Sequence, residues 1–286
     1  MSPSLRQLAP PPVSVVAAIP QSTQWVAGGG HFYVGDVETG KASIYDGYAW
    51  LKGVVALDAT TLAMTNGSTV VAVRFPELEI LRRIELPPVP DTWRYLFAGT
   101  KDLYALVTGS RLSVFGETEK SVLADNAAWG SPDAFTAVEV LPRSKGIVVA
   151  RGDGRLEVRD AETLEVRAVH RPLTQDAGCI CALNDDIVAV TDGDRTTALV
   201  SLSSGTVERL DYQDVVIGLH PRADGSLALA CPRRALVYAG NKRVHDVDFA
   251  GQVPGAVMVK QSAMIGEMLL FADQIRGLVS LPLSLQ

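Results

Sequence analysis

Histidine, cysteine and clustered carboxylates build most metal and acid-base sites, and the first two are scarce in this chain. The four histidines, His31, His170, His220 and His245, lie far apart, and none has the spacing of a zinc site. Of the three cysteines, Cys179 and Cys181 stand two apart in an apolar run, which places them on one face of a strand, and Cys231 stands alone. No further ligand lies at metal-site spacing from that pair, so the three read as buried, inert thiols in a reducing compartment.

Residues 35–42 read Gly-Asp-Val-Glu-Thr-Gly-Lys-Ala, close to a phosphate-binding loop. The Ser or Thr that would hold Mg²⁺ is replaced by Ala42, and the following Ser43-Ile44-Tyr45-Asp46 reads as a strand where a helix N-terminus is needed. Thr39-Gly40-Lys41 is better explained as a hairpin turn. Gly28-Gly29-Gly30-His31 has the composition of a mobile active-site loop and equally that of a strand-to-strand turn. No Gly-x-Ser-x-Gly elbow is present. Asp58, Asp185 and Asp186 are the carboxylates that a metal-dependent lactonase could gather, but their surroundings in sequence match no such site. No cofactor and no metal is expected.

Aromatic and arginine residues form the more informative set. Trp50, Trp93 and Trp129 each stand in a connection leading into an apolar run, with Tyr48, Tyr95 and Tyr212 in or near similar connections. Arg151, Arg155, Arg195 and Arg233 stand in tight polar turns between apolar runs. Tryptophan and arginine on one exposed face are the usual material of interface hot spots. The competing reading makes the indoles plugs between packed sheets.

The elements that hold these residues follow from a repeat. An apolar run, a tight polar turn and a second run ending in valine occur seven times, at Val34, Val73, Val114, Val158, Val200, Val237 and Val279. Successive separations are 39, 41, 44, 42, 37 and 42 residues. Asn66-Gly67, Gly152-Asp153-Gly154 and Asp192-Gly193-Asp194 carry hairpin chemistry between the runs. A further strand precedes each pair, from residues 13–18 in the first repeat to 256–259 in the last, and a more polar strand follows, such as 80–86 or 244–249. Four strands taken seven times predict an all-β, seven-bladed β-propeller of four-stranded antiparallel blades. Residues 1–12 read as an N-terminal extension and 13–286 as one propeller domain. The tail from Ser280 to Gln286 is expected to supply the seventh outer strand, so that the ring closes without strand exchange.

The fullest repeat, residues 141–165, runs turn, strand, Asp153-Gly154 turn, strand, Asp160, then Glu162-Thr163. Asp36-Val37-Glu38-Thr39-Gly40-Lys41 repeats its last part. On these residues the chain resembles the WD40 and YVTN-like propellers over nearly its whole length, although no Trp-Asp dipeptide occurs. The resemblance implies the fold; it names no activity.

Composition narrows the classes. Of 286 residues, 47% are apolar and 20% charged, enough for a core and too few charges for disorder. A net charge of −6 argues against nucleic acid, which needs a basic field. No apolar run reaches the roughly 20 residues of a membrane span. A cleaved signal peptide is disfavoured by Pro10-Pro11-Pro12 where its apolar region should begin. The expectation is therefore a cytoplasmic, bacterial-type, non-enzymatic scaffold or adaptor. One propeller face, built around Trp50, Trp93, Trp129, Tyr212 and the four arginines, would meet a protein partner, an acidic one by its charge. The rivals are a lactonase or other hydrolase, or a small-ligand sensor, at the mouth of the central channel.

Overall fold

The computed structural model describes residues 4–48, 50–88, 95–125, 128, 130–144, 146–192, 196–212, 215–252 and 259–283. The fold is all-β, of the seven-bladed β-propeller class, with seven four-stranded antiparallel sheets. The seven repeat valines all fall on the third strand of their repeat, which is the register that the sequence spacing demands. Among the described residues the only helical element is the short turn Ala250–Gln252. No helix among them is long and apolar enough to cross a membrane.

The chain divides into two compact units. The first, residues 1–87, 228–237 and 244–286, holds the first, second and seventh sheets. The first sheet runs Val13–Ala18, Gln24–Gly29, Phe32–Asp36, Ala42–Tyr45, and the second Gly53–Ala56, Thr61–Thr65, Thr69–Arg74, Glu79–Glu85. The second unit, residues 88–227 and 238–243, holds the third to fifth sheets. Its fourth sheet runs Phe135–Val140, Gly146–Arg151, Leu156–Asp160, Val166–His170. The sixth sheet, from Gly218–Pro221 to Lys242–Asp248, draws strands from both. Middle strands such as Gly146–Arg151 are buried at every residue, whereas the outermost strands Ala42–Tyr45 and Glu79–Glu85 are mostly exposed. That gradient explains the near-continuous apolar runs inside and the charged alternation outside.

A shared turn links the third and fourth strands in four sheets. The amide four residues on donates to the carbonyl that starts the turn, in the pairs Gly40–Asp36, Leu78–Arg74, Leu164–Asp160 and Gly205–Ser201, at 2.7–2.9 Å. Each of the four donors has a left-handed backbone. Glycine takes that conformation without penalty, whereas Leu78 and Leu164 pay roughly 1–2 kcal/mol for it and recover it by burying their side chains. The carboxylates of Asp36 and Asp160 accept the amides of Thr39 and Thr163 within these turns, both at 2.8 Å. This is what the Asp-x-x-Thr pattern in the sequence builds. It also accounts for the Gly-x₄-Gly-Lys stretch. A Cβ on Gly35 would lie 2.2 Å from the buried Trp25 ring, and one on Gly40 would lie 1.7 Å from the Arg6 guanidinium.

The seventh sheet corrects the expected closure. Its third strand, Gly277–Pro282, already uses Ser280 to Pro282, and the outer strand is Arg6–Ala9 from the N-terminal segment. The Gln7 side chain donates to the Arg276 carbonyl at 2.7 Å, and Leu8 and Ala9 are buried. Gly277, with φ of 83°, must be glycine, because a Cβ there would meet the Ala9 carbonyl at 2.0 Å. Strand exchange between the chain's two ends thus completes the sheet. Val13–Ala18 stays in its own sheet, against Gln24–Gly29.

Candidate functional site

The connection between Tyr45 and Gly53, in the first unit, carries the most exposed large apolar side chain of the described residues, Trp50, at 73%. Its neighbours are fixed. The Tyr48 ring packs 5.7 Å from that of Phe32, and its hydroxyl donates to the Leu78 carbonyl at 3.2 Å. Leu51 is buried against Gly28, where a Cβ would come within 2.9 Å of Leu51 Cβ. The Trp50 amide donates to the Gly29 carbonyl at 2.7 Å. Gly29 itself allows no side chain, since a Cβ would lie 2.2 Å from the Pro12 carbonyl oxygen. The triple glycine is therefore a close-packed seat for this connection. Trp50 adopts φ of 63°, a conformation that costs a bulky residue roughly 1–2 kcal/mol, and gains no burial in return.

Tyr48 and Leu51, on either side of Trp50 in the sequence, line a cavity of about 280 Å³ together with Met64, Val71 and Ile80. Val54, Met64, Val71 and Arg83 form one cross-strand row on this face of the second sheet. A register shift opposite residues 72–73 lets the outer strand turn the half-exposed Ile80 to the opening. Asn66, Thr69 and Arg83 give the rim its polar groups. Glu85 accepts from Arg83 Nε at 2.8 Å and from Thr69 Oγ1 at 2.9 Å, which holds its carboxyl below the usual range. The volume falls at the foot of the ~300–1,000 Å³ span of small-molecule sites, the scale of a single large side chain.

The second unit uses its charged residues differently. Arg151, Glu157 and Arg159 are all at least nine-tenths buried. Arg159 Nη2 lies 2.6 Å and Arg151 Nε 3.1 Å from the two Glu157 oxygens, and the Arg151 guanidinium stacks 4.2 Å over the Phe135 ring. Arg155 bridges Asp153 at 2.9 Å and Asp133 at 3.2 Å. Its positive charge is thus matched inside the fold. Tyr212 is 8% exposed and offers a partner little area. Arg233, in the first unit, is exposed. Trp93, Trp129 and Arg195 lie outside the described residues. Trp50 and Arg233 therefore belong to one unit and Arg151, Arg155 and Tyr212 to the other.

The expected chemical groups also find places. Asp58 accepts the Thr60 amide at 2.6 Å within its own turn, Asp186 accepts the Ser203 amide of a neighbouring turn at 2.7 Å, and Asp185 accepts the Arg143 amide at 2.9 Å across two sheets. Cys181 and Cys231 are buried, Cys179 is half-buried, and burial pushes the Cys181 thiol well up. Among the described residues no three of His, Cys, Asp and Glu are placed to hold a metal ion. Two inner-strand groups that the sequence gave no reason to pair are strongly perturbed. Burial raises the Glu139 carboxyl to about 7, against the backbone amides of Val140 and Ala182, and lowers His220 to about 4. The sequence signal for the cavity was faint: Ile80 is one of three apolar residues, with Leu81 and Ile84, in the outer strand Glu79–Glu85, and nothing in the sequence sets it apart.

No protein-family model matches the chain, and no curated protein matches it either. The seven four-stranded sheets show the propeller class, and neither comparison supports the WD40 or YVTN-like families in particular.

Proposed function

We propose that this chain is a non-catalytic protein-docking module whose principal contact residue is Trp50. One observation carries the reading: an indole exposed to solvent on a strained backbone whose flanking residues, Tyr48 and Leu51, are anchored. A backbone already fixed by the Gly29 carbonyl need not be ordered on binding, and tryptophan leads the residues that dominate interfaces. The internal pairing of Arg151 and Arg155 leaves the apolar contact, more than a basic field, as the basis of recognition. Three cysteines outside any disulfide support a reducing compartment. The test is site-specific photo-crosslinking in the native host, with a benzophenone amino acid at position 50 and, as control, at exposed Lys242. Discrete polypeptide adducts from position 50 alone support docking. Equal, diffuse adducts from both positions overturn it.

A further inference from the structure

We infer that the partner of the Trp50 surface is a second copy of this chain, joined about a two-fold axis by reciprocal insertion of the two indoles. The inference rests on the docking reading and gives it an occupant. In a two-fold contact the same patch meets itself, so any knob must lie beside the hole that receives its counterpart. This patch has that property. Trp50 is the knob, and its sequence neighbour Leu51 lines the cavity with Tyr48, Met64, Val71 and Ile80.

Three further features suit a copy of the chain. The cavity, about 280 Å³, is scaled for one large side chain and is small for an extended cofactor. Its lining combines apolar side chains with the buried Thr65 and Thr69 and with Asn66, which offers oxygen acceptors to an indole N–H. The charges at the rim are self-complementary: Arg83 and Glu85 lie side by side with 61% and 66% of their side chains exposed. Two-fold rotation can set Arg83 of each copy against Glu85 of the other, whereas a patch of one sign would repel its own copy. The contact is modest. Two indoles bury about 300–500 Å² of their own surface. With a similar area of the cavities that receive them, the total stays below the ~1,200 Å² of a stable interface, which places the contact among weak, transient associations.

Sedimentation velocity on the full chain, from about 1 µM to 1 mM, tests this. The unaltered protein should pass from monomer to dimer across the series. Trp50→Ala, which removes the knob, and Ile80→Glu, which spoils the hole, should each weaken self-association at least tenfold. Their mixture is decisive, because the indole of the Ile80→Glu chain still fits the intact cavity of the Trp50→Ala chain. Heterodimer should therefore exceed either homodimer. Thermal melts confirm that both variants fold, and Ile80→Ser replaces Ile80→Glu if that variant does not. A monomer at every concentration, or a mixture that fails to complement, overturns self-association. If position 50 then still gives adducts with another polypeptide, docking stands and only its occupant is wrong. If neither adducts nor dimer appear, both fail.

Discussion

Two connections occupy the same place in the repeat and are used in opposite ways. The one entering Gly53 anchors Tyr48 and Leu51 and leaves Trp50 in solvent. The one entering Phe135 is clamped: the Gly152 amide donates to the Ala134 carbonyl at 2.9 Å, and Arg155 reaches the Pro132 carbonyl and Asp133. Gly152 must be glycine there, because a Cβ would lie 1.9 Å from the Ser131 carbonyl. Behind that clamp, Phe135 meets Arg151 and its buried partners. A connection thus leaves its aromatic in solvent or is tied into the fold according to its flanking residues. The presence of an aromatic or an arginine does not decide it.

The largest effect should come from the buried charges of the second unit. Glu157→Gln leaves Arg151 and Arg159 without their carboxylate and should cost about 3–5 kcal/mol in denaturant unfolding. A loss below about 1 kcal/mol would show that these arginines are solvated, and would restore them as surface residues.

Next comes Glu139. Its carboxyl titrates near 7 in the fold, against an ordinary 4.5. The folded state therefore holds a proton that the unfolded chain gives up, so stability is complete below about 4.5 and falls as pH rises to about 7. His220 has the opposite sign: with 4 in place of 6.5, its contribution is complete above 6.5 and falls as pH drops to about 4. The two slopes oppose each other between 4.5 and 6.5. Glu139→Gln should stabilise the protein at pH 8 by on the order of 3 kcal/mol and change little at pH 4. It should also expose the His220 slope, a rise in stability from pH 4.5 to 6.5. Urea midpoints measured from about pH 4 to pH 8 check all three.

The smallest effect is the one that sharpens the comparison. Trp50→Ala should move stability by no more than about 0.5 kcal/mol, because an exposed side chain makes few contacts to lose. A cost of roughly 3–5 kcal/mol, as for a core aromatic, would make Trp50 a plug.

The propeller was legible because its repeat is written locally. Valine spacing and the Asp-Gly turns each report on contiguous residues, and the strands followed them. The closing strand was not legible, because Arg6–Ala9 is four residues long and its partner lies about 270 residues away. Local periodicity carries no information on such a pairing. Trp50 could be picked by type, but its exposure depends on the Gly29 carbonyl and the Gly28 seat. Arg151 was read as a turn residue facing solvent, yet register sets it on the face that carries Glu157 and Arg159. The cavity stayed hidden for a related reason. A shift of register opposite residues 72–73 changes which outer-strand side chains reach it, and a one-residue slip exchanges the two faces of a strand.

The strand exchange in the seventh sheet also sets a timetable. On the ribosome Arg6–Ala9 emerges before every other described strand, and its partner Gly277–Pro282 after all of them. Arg6–Ala9 must therefore wait while the roughly 270 residues between the two strands are made, at about 5–20 residues per second. Its two buried residues, Leu8 and Ala9, stay uncovered for that interval, roughly 14 to 55 seconds at those rates. A chain stalled before residue 277 has an outer strand with no edge to join. Closure of this sheet therefore waits for residues 277–282, so the pairing of Arg6–Ala9 with Gly277–Pro282 ties the sheet to synthesis of the whole stretch between them.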